Sequence, residues 1–362
     1  MSKNITPSLG QTIYNRLGDE TSRRVFQARE RFALTGDAAG FADVFVNKKL
    51  LAELERKIKG KTFVIYGGGF GGALLLRYLD LIGAADLCQG VWDNNPTLWG
   101  ESLGKREITA PRYDRIAGAD YFLISALKEQ TTADITRALI ANGAAASSIA
   151  ALPGVGATLG RCGYEDAEQY FDPEIILPRL IDGEVFVDAG CCDFGTSAHL
   201  LRLAPRVKKI YAFEPDRENM PSVARRIARE NAADITKAYD CALWSRDGEL
   251  GFWISDLNKG ASGVDAGKAN TRVRGRRLDD IVDPSDNVSF IKMDIEGSEL
   301  EALTGAAGII RRDKPKLAIC VYHKDDDYID LPAYICSLVP SYQLYLRNYT
   351  PLNFETVLYC VT

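Results

Sequence analysis

Hydrophobic positions along this chain change their spacing several times, and each change predicts a different kind of element. Over Thr21–Leu34 and Ala42–Lys59 apolar residues recur at helical intervals with charges between them, and Gly36–Gly40 interrupts the pattern. From Thr62 onward short apolar runs alternate with helical patterns. Strands are predicted over Thr62–Tyr66, Leu87–Trp92 and Tyr121–Ser125, with helices over Ala73–Ile82 and Thr132–Asn142. The alanine- and glycine-rich Gly143–Gly160, which contains Pro153, reads as linker and edge structure. Beyond it the alternation resumes. Strands are expected at Glu184–Asp188, Lys209–Phe213, Ile235–Tyr239, Val288–Asp294 and Lys316–Tyr322, and helices at Thr196–Leu203, Arg217–Asn231, Ser298–Gly308 and Tyr328–Leu338. Such alternation requires a mostly parallel sheet covered on both faces. The last two runs, Tyr342–Arg347 and Thr356–Val361, predict an antiparallel pair closing one sheet edge. The fold class is therefore α/β, with two successive Rossmann-like doubly wound units. They are expected as a helical segment over 1–59, a Rossmann-like accessory domain over 60–155 and a larger domain over 160–362.

Composition narrows the partners. A chain of 362 residues, 46% hydrophobic and 26% charged, is long enough for two or three ordinary domains. With a net charge of -5 and 2 histidines, nothing global points to nucleic acid or an anionic membrane. The N-terminal stretch lacks an apolar signal core, and the apolar run Phe63–Ile82 is broken by five glycines and Arg77, so no membrane insertion and a cytoplasmic location are expected. The 8 cysteines form no C-x-x-C pair, and Cys191 and Cys192 are adjacent, which reads as reduced thiols rather than a zinc site or disulfide framework.

The chemistry concentrates after the strand ending at Asp188. In Asp188-Ala189-Gly190-Cys191-Cys192-Asp193-Phe194-Gly195-Thr196 a glycine turn leads from strand to helix, as in a dinucleotide cradle. Asp188 and Asp193 bracket the place a pyrophosphate would need. S-adenosylmethionine keeps the adenosine but replaces pyrophosphate with an ammonium, a carboxylate and a sulfonium, so acids there become favourable. Glu214-Pro215 ends the second strand, where a carboxylate can accept both ribose hydroxyls, and Asp240-Cys241-Ala242 follows the third, in reach of adenine, though Asp240 reads equally as a surface turn acid.

These segments resemble the FkbM family of S-adenosylmethionine-dependent methyltransferases. The resemblance is carried, in order, by VFVDAGCCDFGTS, IYAFEPDREN, ALWSRDGELGFW, RRLDDIV, FIKMDIEGSELEALTGA and YQLYLRNYTPLNFETVLYCV, from about Tyr170 to the end of the chain. It implies a class I methyltransferase fold for the larger domain and methyl transfer to a hydroxyl, often on sugars or small natural products. Oxygen methylation needs alignment and a base. Period-two spacing puts Lys292, Asp294 and Glu296 on one strand face at the sheet's ligand end, where Glu296 could instead cap the helix from Ser298; His323 ends the next strand as the first choice of base, with Asp294 orienting it or serving as base in its place. Asp325–Asp327 beyond it could join Asp294 and Glu296 on a divalent ion, but a solvated acidic turn is the expected reading and no metal is assigned. The arginines of Thr271–Arg277 suit either an anionic acceptor or a charged edge strand, and Gly260–Gly267 a lid.

A second glycine loop, Gly67, Gly69 and Gly72 between strand and helix with Asp93 following, contains no acid and is a candidate site for a nucleotide or nucleotide-sugar; close helix–strand packing explains it equally. The segment resembles small Rossmann-like units fused to sugar-modifying enzymes. The reading is S-adenosylmethionine-dependent O-methylation of a sugar, glycan or related small molecule. An NAD-dependent oxidoreductase and a non-catalytic nucleotide-sugar-binding scaffold are the alternatives.

Overall fold

The computed structural model describes residues 8–36, 41, 44, 55–126, 129–150, 168–254, 262–265, 267–349 and 353–362. Most of the helix expected over 42–59, residues 151–160 of the expected linker and part of the proposed lid lie outside them. The chain divides into two compact units, one of Met1–Gly40, Asp166–Asn348 and Asn353–Thr362, the other of Phe41–Glu165 and Tyr349–Leu352.

Helices α1 (Leu9–Arg16) and α2 (Glu20–Thr35) belong to the first, larger unit. Asp19 caps α2 by accepting the Ser22 amide at 2.7 Å, and Gly36 ends it in the left-handed conformation.

The smaller unit holds β1 (Phe63–Tyr66), α3 (Phe70–Leu81), β2 (Cys88–Trp92), β3 (Ser102–Leu103), β4 (Arg106–Thr109), β5 (Tyr121–Ile124), α4 (Glu129–Ala141) and β6 (Ile149–Ala150). Its sheet runs β3-β4-β2-β1-β5-β6, parallel except for β3 against β4. Tyr66, Trp92, Phe122, Ile124 and Leu139 fill one face. Part of the stretch read as linker is the edge strand β6, paired with Phe122 and Leu123.

In the larger unit the chain continues as β7 (Asp182–Ala189), α5 (Gly195–Leu203), β8 (Arg206–Phe213), α6 (Met220–Arg229) and β9 (Thr236–Tyr239). Then come β10 (Ala242–Leu243), β11 (Gly248–Trp253), β12 (Gly263–Val264), β13 (Thr271–Arg276) and α7 (Leu278–Ile281). The last stretch holds β14 (Phe290–Met293), α8 (Glu299–Gly305), α9 (Ala307–Asp313), β15 (Lys316–Cys320), α10 (Asp327–Leu338), β16 (Gln343–Asn348) and β17 (Thr356–Val361). The main sheet has the order β16-β17-β15-β14-β7-β8-β9, with only β17 running against its neighbours. Val185, Phe186 and Val187 of β7 are buried on both faces, as a central parallel strand requires. The strand order reverses between β7 and β14, and a crevice beyond their carboxyl ends is where open α/β sheets bind ligands.

Three expectations shift. The helix expected from Arg217 starts at Met220, because Glu214 and Asp216 accept the amides of Asp216 and Glu218 and hold the chain in a turn. The helix expected over Ser298–Gly308 is two helices, the second capped by Asp279, whose carboxylate accepts the amides of Gly308 and Ile309. The arginine run is no edge strand: β13 lies inside a small sheet of order β10-β13-β11-β12, where Arg272 pairs with Glu249 and Arg274 and Arg276 pair with Asp247.

Candidate active site

A cavity opens at the switch point between β7 and β14. Ala189 and Gly190 form one wall, Asp294, Ile295 and Glu296 another, Glu214 and Pro215 a third, and Cys241, Ala242, Leu243, Phe252 and Val264 supply an apolar floor from the third-strand turn and the small sheet. The loops on both sides are forced together. Gly190 has φ +75, and a Cβ there would lie inside the carbonyl oxygen of Asp294. Cys192 and Phe194 also take positive φ, so the turn beside the cavity is held in a conformation that L side chains disfavour.

Buried ion pairing locks this turn from below. Asp188 is fully buried, accepts the Ser197 hydroxyl at 2.7 Å and lies 3.3 Å from the Lys292 ammonium. That ammonium donates to the carbonyls of Ala189 at 3.1 Å and Gly190 at 2.7 Å. Burial opposes its charge, but Asp188 and Asp294 outweigh burial and raise the lysine above its ordinary value. Glu214 accepts the amides of Cys192 at 2.8 Å and Asp216 at 2.9 Å; burial nevertheless pushes its carboxyl up to about 7.

On the opposite wall the Tyr170 hydroxyl donates to Asp294 Oδ2 at 2.6 Å. Burial works against ionisation of Asp294, yet Lys292, His323 and Tyr170 together hold it below the usual carboxylate range. Behind it the ring of His323 is surrounded by acids: Nδ1 is 3.0 Å from Glu299 Oε1, and Nε2 is 3.5 Å from Asp294 Oδ1 and 3.6 Å from Glu296 Oε2. Burial disfavours the imidazolium, but these carboxylates overcome it and raise the ring to about 10. Burial pushes Glu296 up to about 7.

This geometry can be compared with known proteins. The methyltransferase FkbM domain family matches residues 188–345, the span that carries the cavity walls. Among solved structures, the chain is similar to the methyltransferase FkbM from Methylobacillus flagellatus KT, with 22% identity over 94% of this chain and 99% of that one and a TM-score of 0.47. It is also similar to an rRNA methylase from Streptococcus thermophilus, with 17% identity over 51% of this chain and 89% of that one and a TM-score of 0.32. A third is fibrillarin from Aeropyrum pernix with natively bound S-adenosyl-L-methionine, with 12% identity over 54% of this chain and 72% of that one and a TM-score of 0.33. No curated protein matches the chain. No helix among the described residues is long and apolar enough to cross a membrane.

Within the matched span the sequence-predicted residues separate into two layers. Ala189, Gly190, Glu214, Pro215, Cys241, Ala242, Asp294 and Glu296 line the cavity. Asp188 and Lys292 lie beneath its wall, tied to each other. Gly195 and Thr196 start α5, where Asp193 accepts the Gly195 amide at 2.9 Å and pairs with Arg226. Asp240 points away and lies 3.4 Å from Arg217, both exposed. Lys292, Asp294 and Glu296 do not share one face: β14 ends at Met293, and Glu296 turns at φ +55. His323 is not among the residues that line the cavity; its ring stands behind Asp294 and Glu296. Asp294 and Glu296 are the carboxylates that reach the cavity. Asp327 accepts the Lys324 amide at 2.8 Å, so the acidic turn serves α10.

Tyr170 and Glu299 escaped the sequence reading. Glu299 lies in the segment FIKMDIEGSELEALTGA, one helical turn past Ile295, whose amide it accepts at 3.0 Å. Tyr170 reaches Asp294 across 124 residues, and no local pattern signals that.

In the smaller unit Asp93 accepts the amide of Gly68 at 2.6 Å and that of Asn95 at 2.7 Å. A Cβ at Gly72 would lie inside the Gly67 carbonyl, so this glycine is demanded by packing, whereas Gly69 has open space around its Cβ position.

Proposed function

We propose that the protein transfers a methyl group from S-adenosylmethionine to a hydroxyl oxygen of a sugar, glycan or related small metabolite. The observation that carries this reading is the cavity itself, with an acid at the end of β8, an apolar floor, a glycine wall and two carboxylates facing it across the switch point. The donor set fits the cofactor. Glu214 has lone pairs left for ribose hydroxyls beside the two amides it accepts, Cys241, Ala242, Leu243 and Phe252 offer an apolar seat for adenine, and the close approach at Gly190 admits a backbone-hugging chain. Asp188 acts here through the turn it anchors, with Lys292.

When bound, the cofactor supplies an activated electrophilic methyl group. The chain's own residues then have to orient the acceptor and take its proton. Glu296 and Asp294 face the cavity, and Glu296, held by no hydrogen bond to Tyr170, is assigned the proton of the acceptor hydroxyl. His323 is a positioning residue whose ring stands against both carboxylates. The Asp294 and Glu296 carboxylates in the lining can accept from the hydroxyls of a polyhydroxylated ligand.

Methyl-labelled cofactor, the full chain and a panel of sugars and glycans test the reading. Label appearing on the acceptor in alkali-stable form, as an ether requires, supports it. Cofactor binding with label found only in alkali-labile products overturns the hydroxyl acceptor, and binding of NAD in place of the cofactor overturns the reading as a whole.

A further inference from the structure

Beneath the Asp294 wall a set of buried polar atoms lacks the hydrogen bonds their burial demands. Asp294 Oδ1, Glu299 Oε2 and both ring nitrogens of His323 are buried without a hydrogen-bond partner, and the His323 side chain is only 8% exposed. A buried polar atom left unsatisfied carries the full cost of its desolvation, so a cluster of them in one place requires a reason. Both carboxylates are tethered through their other oxygen: Tyr170 donates to Asp294 Oδ2, and the Ile295 amide donates to Glu299 Oε1. The tether on Asp294 leaves its Oδ1 toward the His323 ring. Among the described residues, one ligand atom each from Asp294, Glu299 and His323 fall within 4.8 Å of one another, the spacing of a metal-binding group.

The separations point the same way. His323 Nε2 lies 3.5 Å from Asp294 Oδ1 and 3.6 Å from Glu296 Oε2, long for charge-assisted hydrogen bonds, which run at about 2.7–2.9 Å. Two ligands that share a cation at about 2.1 Å each stand about 3.4 Å apart at a tetrahedral angle. On the other side of the ring Glu299 Oε1 stands 3.0 Å from Nδ1, in the place of the carboxylate that orients a metal-bound imidazole.

We propose that His323 Nε2, Asp294 and Glu296 bind a divalent cation at the cavity wall, with Glu299 holding the imidazole in place. One imidazole and carboxylate oxygens suit a first-row divalent ion, for which manganese(II) serves as a paramagnetic probe. A cation there would lower the pKa of a hydroxyl that reached it, a consequence that rests on the proposed methyl transfer to oxygen; the binding itself does not.

Manganese(II) added to the chelator-treated full chain provides the test. One saturable site is expected, with 14N modulation in pulsed EPR from a bound imidazole. Because the chain has only 2 histidines, a His199→Gln variant that keeps the modulation assigns it to His323. Glu299→Gln should weaken binding about 10- to 100-fold, and His323→Gln should abolish it. No saturable binding at millimolar manganese(II), binding without 14N modulation, or modulation lost in a folded His199→Gln protein each overturns the proposal. A chain that binds manganese(II) but no S-adenosylmethionine would overturn the proposed function and leave the metal site standing, and the reverse result would do the opposite.

Discussion

At Glu214 burial and ligand chemistry make opposite demands on one carboxyl group. Burial raises it from the ordinary 4.5 to about 7, although two backbone amides already donate to it. Below pH 4.5 the group is neutral in both folded and unfolded chains. Between 4.5 and 7 the folded chain retains a proton that the unfolded chain releases, so stability falls as pH rises. The fall amounts to about 3 kcal/mol in all, since each tenfold difference in proton affinity between the two states is worth about 1.36 kcal/mol. Ribose hydroxyls donating to the carboxylate favour its ionised form. S-adenosylmethionine should therefore bind about tenfold more tightly at pH 8 than at pH 6, following the fraction of ionised Glu214. Calorimetric titration at several pH values checks this, and Glu214→Gln should flatten the profile. A profile equally steep in that variant would assign the dependence to another group. A second residue-scale expectation concerns Glu296. Glu296→Gln should lower the single-turnover rate about 100- to 10,000-fold while cofactor affinity stays within about twofold, because a positioned base acts on the rate and not on cofactor binding. Quench-flow with labelled cofactor measures the first and calorimetry the second; an unchanged rate in the folded variant would remove Glu296 from the role.

At the scale of elements, what the sequence made legible is what depends on neighbours along the chain. The strands of the main sheet, the glycine turn after β7 and the acid ending β8 all announce themselves by local period and residue type, and the antiparallel β16–β17 pair does so too. Period two failed at β14 because the strand stops at Met293 and the backbone turns left-handed at Glu296, so Lys292 lies under the wall while Glu296 faces the cavity. His323 was legible as a group near the sheet edge but not as one ringed by Asp294, Glu296 and Glu299, since a charge environment is set by packing between elements. The glycine loop of the smaller unit shows the same division. Gly72 faces the Gly67 carbonyl and Gly69 faces open space, though both belong to one motif. Gly72→Ala should destabilise the smaller unit by several kcal/mol through that collision, whereas Gly69→Ala should leave its melting temperature within about 2 °C. If the loop holds a nucleotide or nucleotide-sugar, Gly69→Val should weaken its binding without unfolding the unit. Binding unchanged in Gly69→Val would make the loop a packing device alone.

Across the whole molecule, the larger unit is completed by contacts between segments more than three hundred residues apart. The edge strand β16 would present unpaired amides and carbonyls, a template for association with other chains. Here α2 covers that edge. Ser22 Oγ accepts the Leu346 amide at 2.9 Å, and Arg347, 3% exposed, donates to Asp19 Oδ2 at 2.7 Å and stands 3.6 Å from Asp172. Leu17 adds an isolated bridge to Leu344. Removing one partner of such a buried ionic group leaves the others uncompensated, typically at a cost of about 3–5 kcal/mol. Arg347→Met should therefore lower the urea midpoint of the larger unit's unfolding transition, and the main sheet should still form. Deleting residues 1–36 is the stronger perturbation, because it takes away the cover together with the ion pairs. The deleted chain is expected to associate through the bared β16 edge, which light scattering would register as concentration-dependent growth that the Arg347→Met chain does not show. A deleted chain that stays monomeric at high concentration would mean that β16 is protected by its own twist and side chains, and that α2 contributes stability alone.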